Sequence, residues 1–303
     1  MMLPLRIHPE VELALAEKRP VVAMESTLIT HGLPYPQNIE AAAQMETAVR
    51  EAGAVPATVA IIQGSVHVGL TDEQLQYVGT RPANTIHRCS RRNLPLVVAG
   101  GQDGATTVAG TMIVAHLAGI ELFATGGIGG VHRNHRFDVS ADLMELGRTP
   151  VTVVSSGVKP FLDLAATREV LETQGVTVVG MGTDDLAPFF SQHSGHSTDI
   201  RLDTVADVAA LIQARRTLGL HSGTLVTVPV PEEHRFEHRE INAVIDEAVR
   251  ELDEQGVHGP AVTSWMVGRL TQAIGPEALR ANIMLLDNNA TIAAQIAVAL
   301  ARS

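Results

Sequence analysis

Lys159 lies in the stretch VTVVSSGVKPFLDL (151–164) and is one of only two lysines, with Lys18, in a chain that has twenty arginines. An arginine keeps its proton in a protein and cannot form an imine. A lysine amine can lose its proton and form an imine once desolvation or a neighbouring cation lowers its pKa. A lysine set after an apolar run and a glycine, and held by Pro160, is a candidate nucleophile, with an ordinary solvated lysine as the alternative. Glu25 closes the apolar run PVVAM and opens STLITHG. That position suits a general acid or base at the mouth of a sheet, with an N-cap or a salt-bridged rim carboxylate as the alternative.

Three further stretches bear on binding. The run TGGIGGVH (125–132) lets backbone approach a ligand closely and exposes amides, as phosphate or carboxylate sites require, although the dinucleotide spacing G-x-G-x-x-G is absent. In HRNHRFDVSAD (132–142), His132, His135 and Asp138 could form a metal set. Asp138, Ser140 and Asp142 form an alternating oxygen-rich row better suited to Mg²⁺ or Mn²⁺ than to zinc, and a solvated polar loop is the alternative. Arg88, Arg91 and Arg92 could set a cation against a phosphate or simply make a solvated face.

These residues need elements to position them. The apolar runs at 20–26, 57–64, 94–101, 121–127, 151–157, 176–182 and 223–231 predict strands buried on both faces, as in a parallel sheet. Helical patterns at 37–53, 105–119 and 204–220 fall between them, and after residue 232 helix follows helix to the C-terminus. This alternation predicts an α/β fold, three-layer α/β/α with a mostly parallel central sheet and a helical C-terminal segment. No linker or repeat divides it, so one domain over 1–303 is expected. In such sheets ligands gather beyond the carboxyl ends of the strands, which is where Glu25, the TGGIGG run and Lys159 fall.

Composition narrows the partners. With a formal charge of −11 and 3% aromatic residues, the chain offers neither a broad surface for nucleic acid or anionic membrane nor a base-stacking platform, while a local basic pocket for one small phosphate stays open. The lone Cys89 rules out an internal disulfide framework, and the N-terminal stretch has no signal-peptide core. A cytoplasmic location and a small-molecule substrate are expected.

Taken together, ESTLITHGLPYPQN (25–38), GAVPATVAIIQG (53–64), SRRNLP (90–95), GATTVAGTM (104–112), FATGGIGGVHR (123–133), FDVSADL (137–143), GVKPFLDL (157–164) and ANIMLLDNNATIAAQIA (281–297) closely resemble the pseudouridine-5′-phosphate glycosidase family, which includes the indigoidine synthase A-like proteins. The resemblance implies cleavage of the C–C glycosidic bond of pseudouridine 5′-phosphate to uracil and ribose 5-phosphate, aided by one Mn²⁺ per subunit, in a homotrimer. It matches Lys159 to the nucleophile that forms an imine at C1′ of the opened sugar, Glu25 to the proton donor and Asp138 to the metal ligand. Arg88, Val108, His132, Ser140, Ala141, Asp142 and Asn282 match substrate-contacting positions. A C–C bond to uracil needs an electron sink at C1′, and a lysine imine supplies one where a pair of carboxylates would struggle.

The chain departs from the family pattern twice. Arg88 replaces a frequent lysine, keeping the cation but changing its shape, and Val228-Pro229 replaces a frequent Asn-Pro. Two other readings are a Schiff-base lyase acting on another sugar phosphate and a non-catalytic sugar-phosphate binder. Glu25 and Lys159 speak against the binder, which needs neither a proton donor nor an imine-forming amine.

Overall fold

The computed structural model describes residues 5–133, 135–191, 193–257 and 261–302. The strands are β1 (Leu5–Ile7), β2 (Val21–Met24), β3 (Val55–Ile62), β4 (Ser65–Val68), β5 (His87–Cys89), β6 (Gly104–Thr106), β7 (Leu122–Ala124), β8 (Val131–His132), β9 (His135–Val139), β10 (Thr152–Ser155), β11 (Leu162–Asp163), β12 (Thr177–Met181), β13 (Ile200–Leu202) and β14 (Thr224–Thr227). Eleven of them form one sheet whose main path runs β1-β4-β3-β2-β7-β10-β14-β12-β13, with β6 pairing β3 and β5 pairing β6. From β3 through β2 to β13 every neighbouring pair is parallel. The antiparallel pairs are β3 with β4 and β3 with β6. A separate small sheet, β11-β8-β9, is antiparallel.

The helices are α1 (Pro9–Ala16), α2 (Gln37–Glu51), α3 (Asp72–Thr80), α4 (Leu94–Ala99), α5 (Val108–Ala118), α6 (Ala141–Leu146), α7 (Leu164–Thr173), α8 (Val205–Thr217), α9 (His238–Glu254), α10 (Ala261–Ile274) and α11 (Pro276–Ala301). Every residue of β2, β7, β10 and β14 is buried. Successive side chains of a strand point to opposite faces, so these strands are covered on both, which makes the three-layer α/β/α arrangement. Short polar side chains set the helix starts: Thr107 Oγ1 accepts from Gly110 N–H at the head of α5, and Asp163 Oδ1 from Ala166 N–H at the head of α7.

Two expectations change. The run 94–101 is helix α4 rather than a strand: Pro95 lacks the N–H that a ladder needs but suits the first helical turn, and Leu96, 68% exposed, shows that the run is not buried on both sides. The pattern at 105–119 divides into the end of β6 and helix α5.

Helix α11 is long and apolar enough to cross a membrane by length and composition alone. Here it packs on α2, α8 and the strands β2, β7 and β10, as a core helix. Lys18, the second lysine, sits in a left-handed turn after α1, with its N–H on Leu15 O, and lies far along the chain from the residues that follow.

Candidate active site

The three central strands β2, β7 and β10 lie side by side and end in Glu25-Ser26-Thr27, Thr125-Gly126-Gly127 and Ser156-Gly157-Val158-Lys159. Backbone hydrogen bonds continue the ladder past the last two strands: Thr125 N–H to Val154 O, Ser156 N–H to Gly126 O, Ile128 N–H to Gly157 O and Lys159 N–H to Ile128 O. Gly157 makes this possible. Its φ of +83° is left-handed, and a Cβ there would stand 1.8 Å from Ala187 O. The half-buried Lys159 is thereby held by main chain on the strand neighbouring Thr125.

The segment carrying Glu25 is fixed from the other side. Ser26 Oγ accepts from Thr106 N–H at 2.9 Å, and Thr27 Oγ1 donates to Thr106 O at 2.8 Å, tying the end of β2 to β6. Glu25 itself is only 9% exposed, and its Oε1 accepts from Thr125 Oγ1. Burial pushes its carboxyl above the ordinary range, chiefly against the opposing charge of Lys159 and the Thr125 bond; Asp142 adds to the rise and Arg88 opposes it. A carboxyl that holds its proton in this way is placed to act as a general acid.

Two cavities meet at this pair, since Glu25 and Lys159 line both, along with Thr27 and Phe161. The larger, about 650 Å³, is polar and basic, and it also takes in Arg88, Val108, His132, Asp138, Ser140, Ala141 and Asp142. The smaller, about 90 Å³, is walled by Phe189, Phe190, Leu270 and Leu279, with His31, Thr271 and Asn282 as polar lining. All ten residues matched by the family resemblance therefore line one divided cleft, with Asn282 on the far side from the other substrate positions.

Their local roles differ. Asp142, which is buried, uses both carboxylate oxygens on main chain: Oδ1 accepts from Ala109 N–H and Oδ2 from Gly129 N–H, each at 2.9 Å. It thus clamps the head of α5 to the TGGIGG run. Ser140 caps α6, its Oγ accepting from Asp142 N–H, and Gly129 is glycine because a Cβ would stand 2.3 Å from that Oγ. Val108 is the first residue of α5. Arg88, in β5, is pushed below the usual guanidinium range by burial while Glu25 and Asp142 pull it back, which leaves a cation in a water-poor wall. Arg91 and Arg92 are both exposed and line the larger cavity, and Arg91 is tied down there by two bonds of 2.8 and 2.6 Å to the buried Glu145. Val228 is buried with its N–H on Ser155 O.

Asp138 in β9 is half-buried on the wall of the larger cavity. Among the described residues no group of three or more His, Cys, Asp or Glu gathers to hold a metal, and the side chain of His135 lies outside them. The donor set is one hard carboxylate beside a roomy polar cavity. That fits a hard divalent ion with water and substrate oxygens in most of its shell, and does not fit a closed protein cage.

Sequence reasoning missed Thr125, His31 and the apolar wall. Thr125 stands inside the TGGIGG run, which drew attention only for its glycines. Phe189 holds a left-handed φ of +68°, rare for a bulky residue, with its N–H on Ser156 O. Burial and the charge of Arg88 lower the His31 pKa to about 4, so its ring is neutral near pH 7.

The family profile described as indigoidine synthase A like protein matches residues 10–299. The pseudouridine-5′-phosphate glycosidase of Paracoccus denitrificans is 50% identical over 297 residues, covering 97% of this chain and 98% of the relative. That of Escherichia coli K12 is 49% identical over 295 residues, covering 97% and 94%. Among solved structures, the prealnumycin C-glycosynthase AlnA in complex with ribulose 5-phosphate superposes with a TM-score of 0.91 at 39% identity, covering 100% of this chain and 98% of that one. An indigoidine synthase A-like protein from Thermotoga maritima superposes at 0.90 with 34% identity, covering 99% and 97%. With this match along nearly its whole length, on a fold shared at high similarity, the chain belongs to the indigoidine synthase A-like family.

Proposed function

We propose that this chain is an enzyme that cleaves the C–C glycosidic bond of pseudouridine 5′-phosphate with water, giving uracil and ribose 5-phosphate. One observation carries the reading: a lysine amine and a buried carboxyl raised toward its acid form share the partition between a basic cavity and an apolar one. The basic cavity suits the sugar phosphate and the apolar cavity a planar base.

In this reading the Lys159 nitrogen forms a bond to C1′ as the bond from C1′ to the ring oxygen breaks, and that oxygen leaves as a hydroxyl with the proton the nitrogen sheds. Glu25 gives its proton to the base carbon bonded to C1′. The C–C bond then breaks, its electron pair restoring the ring double bond of uracil while the lysine nitrogen lone pair forms the C=N bond to C1′. Water adds to that imine and returns the amine and the aldehyde of ribose 5-phosphate, so atoms and charge balance. Arg88 offers a fixed cation to the phosphate. Asp138 would hold the Mn²⁺, which when bound supplies positive charge to substrate oxygens. A homotrimer, which rests on the family resemblance, and a cytoplasmic location, which rests on the sequence, complete the proposal.

A second reading keeps the Lys159 imine and changes the leaving group. Its support is the structural relative AlnA, a C-glycosynthase with ribulose 5-phosphate bound. Incubating the protein and Mn²⁺ with pseudouridine 5′-phosphate and measuring uracil release separates the two. Release supports the first reading, and none from a folded protein that still binds ribose 5-phosphate covalently favours the second.

A further inference from the structure

Helix α11 ends the sequence resemblance with the motif DNNA, and its second asparagine, Asn289, is fully buried. An amide is costly in an apolar core unless its groups are paired, and here they are. Asn289 Nδ2 donates to Thr125 O at 2.9 Å and lies 3.1 Å from Ser156 Oγ, while the Ser156 hydroxyl donates to Asn289 Oδ1 at 3.3 Å. Thr125 and Ser156 are the first residues past β7 and β10, and both have consequences at the cleft. Thr125 holds Glu25 through its hydroxyl, and Ser156 begins the turn that delivers Lys159. Asn282, seven residues before Asn289 and so on the same helix face, lines the apolar cavity.

We propose that Asn289 is a positioning residue of the active site: its side-chain amide locks the Thr125 carbonyl and the Ser156 hydroxyl to α11, fixing the grip of Thr125 on Glu25 and the start of the Lys159 turn. The same anchor sets the depth at which Asn282 enters the apolar cavity. A residue serving only to fill the core would be apolar here, since α11 is otherwise built from Ala, Leu and Ile along its buried face. The proposal rests on the reading of Glu25 and Lys159 as the reacting pair.

The test is a double-mutant cycle on the full-length enzyme, with Asn289→Ala, Thr125→Val and both together, following kcat and KM for pseudouridine 5′-phosphate across the pH range in which Glu25 titrates, with thermal melts as control. The groups facing Glu25 are Lys159, Asp142, Arg88 and, in the apolar cavity, His31; none is changed in these variants. Losing the Asn289 anchor frees Thr125 from Glu25, so the ionised carboxylate loses a donor and its pKa rises. Asn289→Ala is expected to lower kcat about tenfold with KM within about twofold, and to move the alkaline limb of kcat up by about one pH unit. In the Thr125→Val background it should move the limb no further, while the part of the kcat loss that runs through Ser156 and the Lys159 turn remains. Shifts of the limb that add, or an unmoved limb, would overturn the proposal. If Asn289→Ala does not fold, Asn289→Ser carries the same cycle. Wild-type enzyme run alongside with ribose 5-phosphate and borohydride keeps the two ideas apart. An adduct on Lys159 with an unmoved limb in the variant rejects the role of Asn289 alone, and no adduct in the wild type rejects the reacting pair.

Discussion

Thr125 Oγ1 donates a hydrogen bond to Glu25 Oε1 across the ends of two neighbouring parallel strands, and the same carboxyl feels the charge of Lys159 from the next strand over. Three adjacent strand ends thus bring a proton-holding carboxyl, the hydroxyl that orients it and an amine to one partition, the last two held by main-chain hydrogen bonds and the first by the Ser26 and Thr27 side chains that follow it.

Replacing Lys159 with arginine keeps a cation on the partition but removes any route to an imine. We expect Lys159→Arg to melt close to the wild type and to lose turnover of pseudouridine 5′-phosphate by about 10³-fold or more. Uracil release by that variant at the wild-type rate would contradict the role of the amine.

Burial makes the folded chain bind the Glu25 proton more tightly than the unfolded chain does, and the opposing pull of Lys159 is the smaller effect. The sign follows: its contribution to stability is complete below the ordinary glutamate pKa and is lost as pH rises through the raised folded value. Glu25→Gln, neutral at every pH, should therefore gain melting temperature over wild type as pH rises, converge with it in acid, and lack turnover throughout. A gap between the two melting curves that does not vary with pH would show that burial does not govern this carboxyl.

Asp142 spends both oxygens on backbone N–H groups of Ala109 and Gly129. In Asp142→Asn one of these donors would face an NH₂ group and be left buried without an acceptor. A loss of about 1–3 kcal/mol in unfolding free energy is expected, read from denaturant melts. An unchanged midpoint would mean that the clamp contributes nothing.

Asp138, on the wall of the larger cavity, is the carboxylate proposed to hold the divalent ion. Asp138→Ala should raise the Mn²⁺ concentration for half-maximal activity at least about tenfold. A superimposable Mn²⁺ titration would remove Asp138 from the metal site.

Much of this was legible in the chain. Doubly buried parallel strands read as unbroken apolar runs, so the alternation and the strand ends with Glu25 and Lys159 could be located before any coordinates. The scarcity of lysine then gave Lys159 its weight. The run 94–101 misled because composition alone does not separate a short buried strand from a half-exposed helix, and Pro95 was the signal that could have decided it. Thr125 and Asn289 stayed hidden for a different reason: each matters through a partner far along the chain, Glu25 for one and Ser156 for the other, and no local pattern marks a residue whose value is a long-range hydrogen bond. The division of the cleft into two cavities was equally out of reach, because the apolar wall joins Phe189, Leu270 and Leu279 from separate elements.

The most direct test is to trap the covalent step. The protein, loaded with Mn²⁺, is incubated with ribose 5-phosphate and borohydride and mapped by intact and peptide mass spectrometry beside Lys159→Arg. One pentose-phosphate adduct per chain is expected, on the peptide containing Lys159 and missing from the variant. A folded wild type that carries no adduct, or carries it on Lys18, would contradict the imine at Lys159.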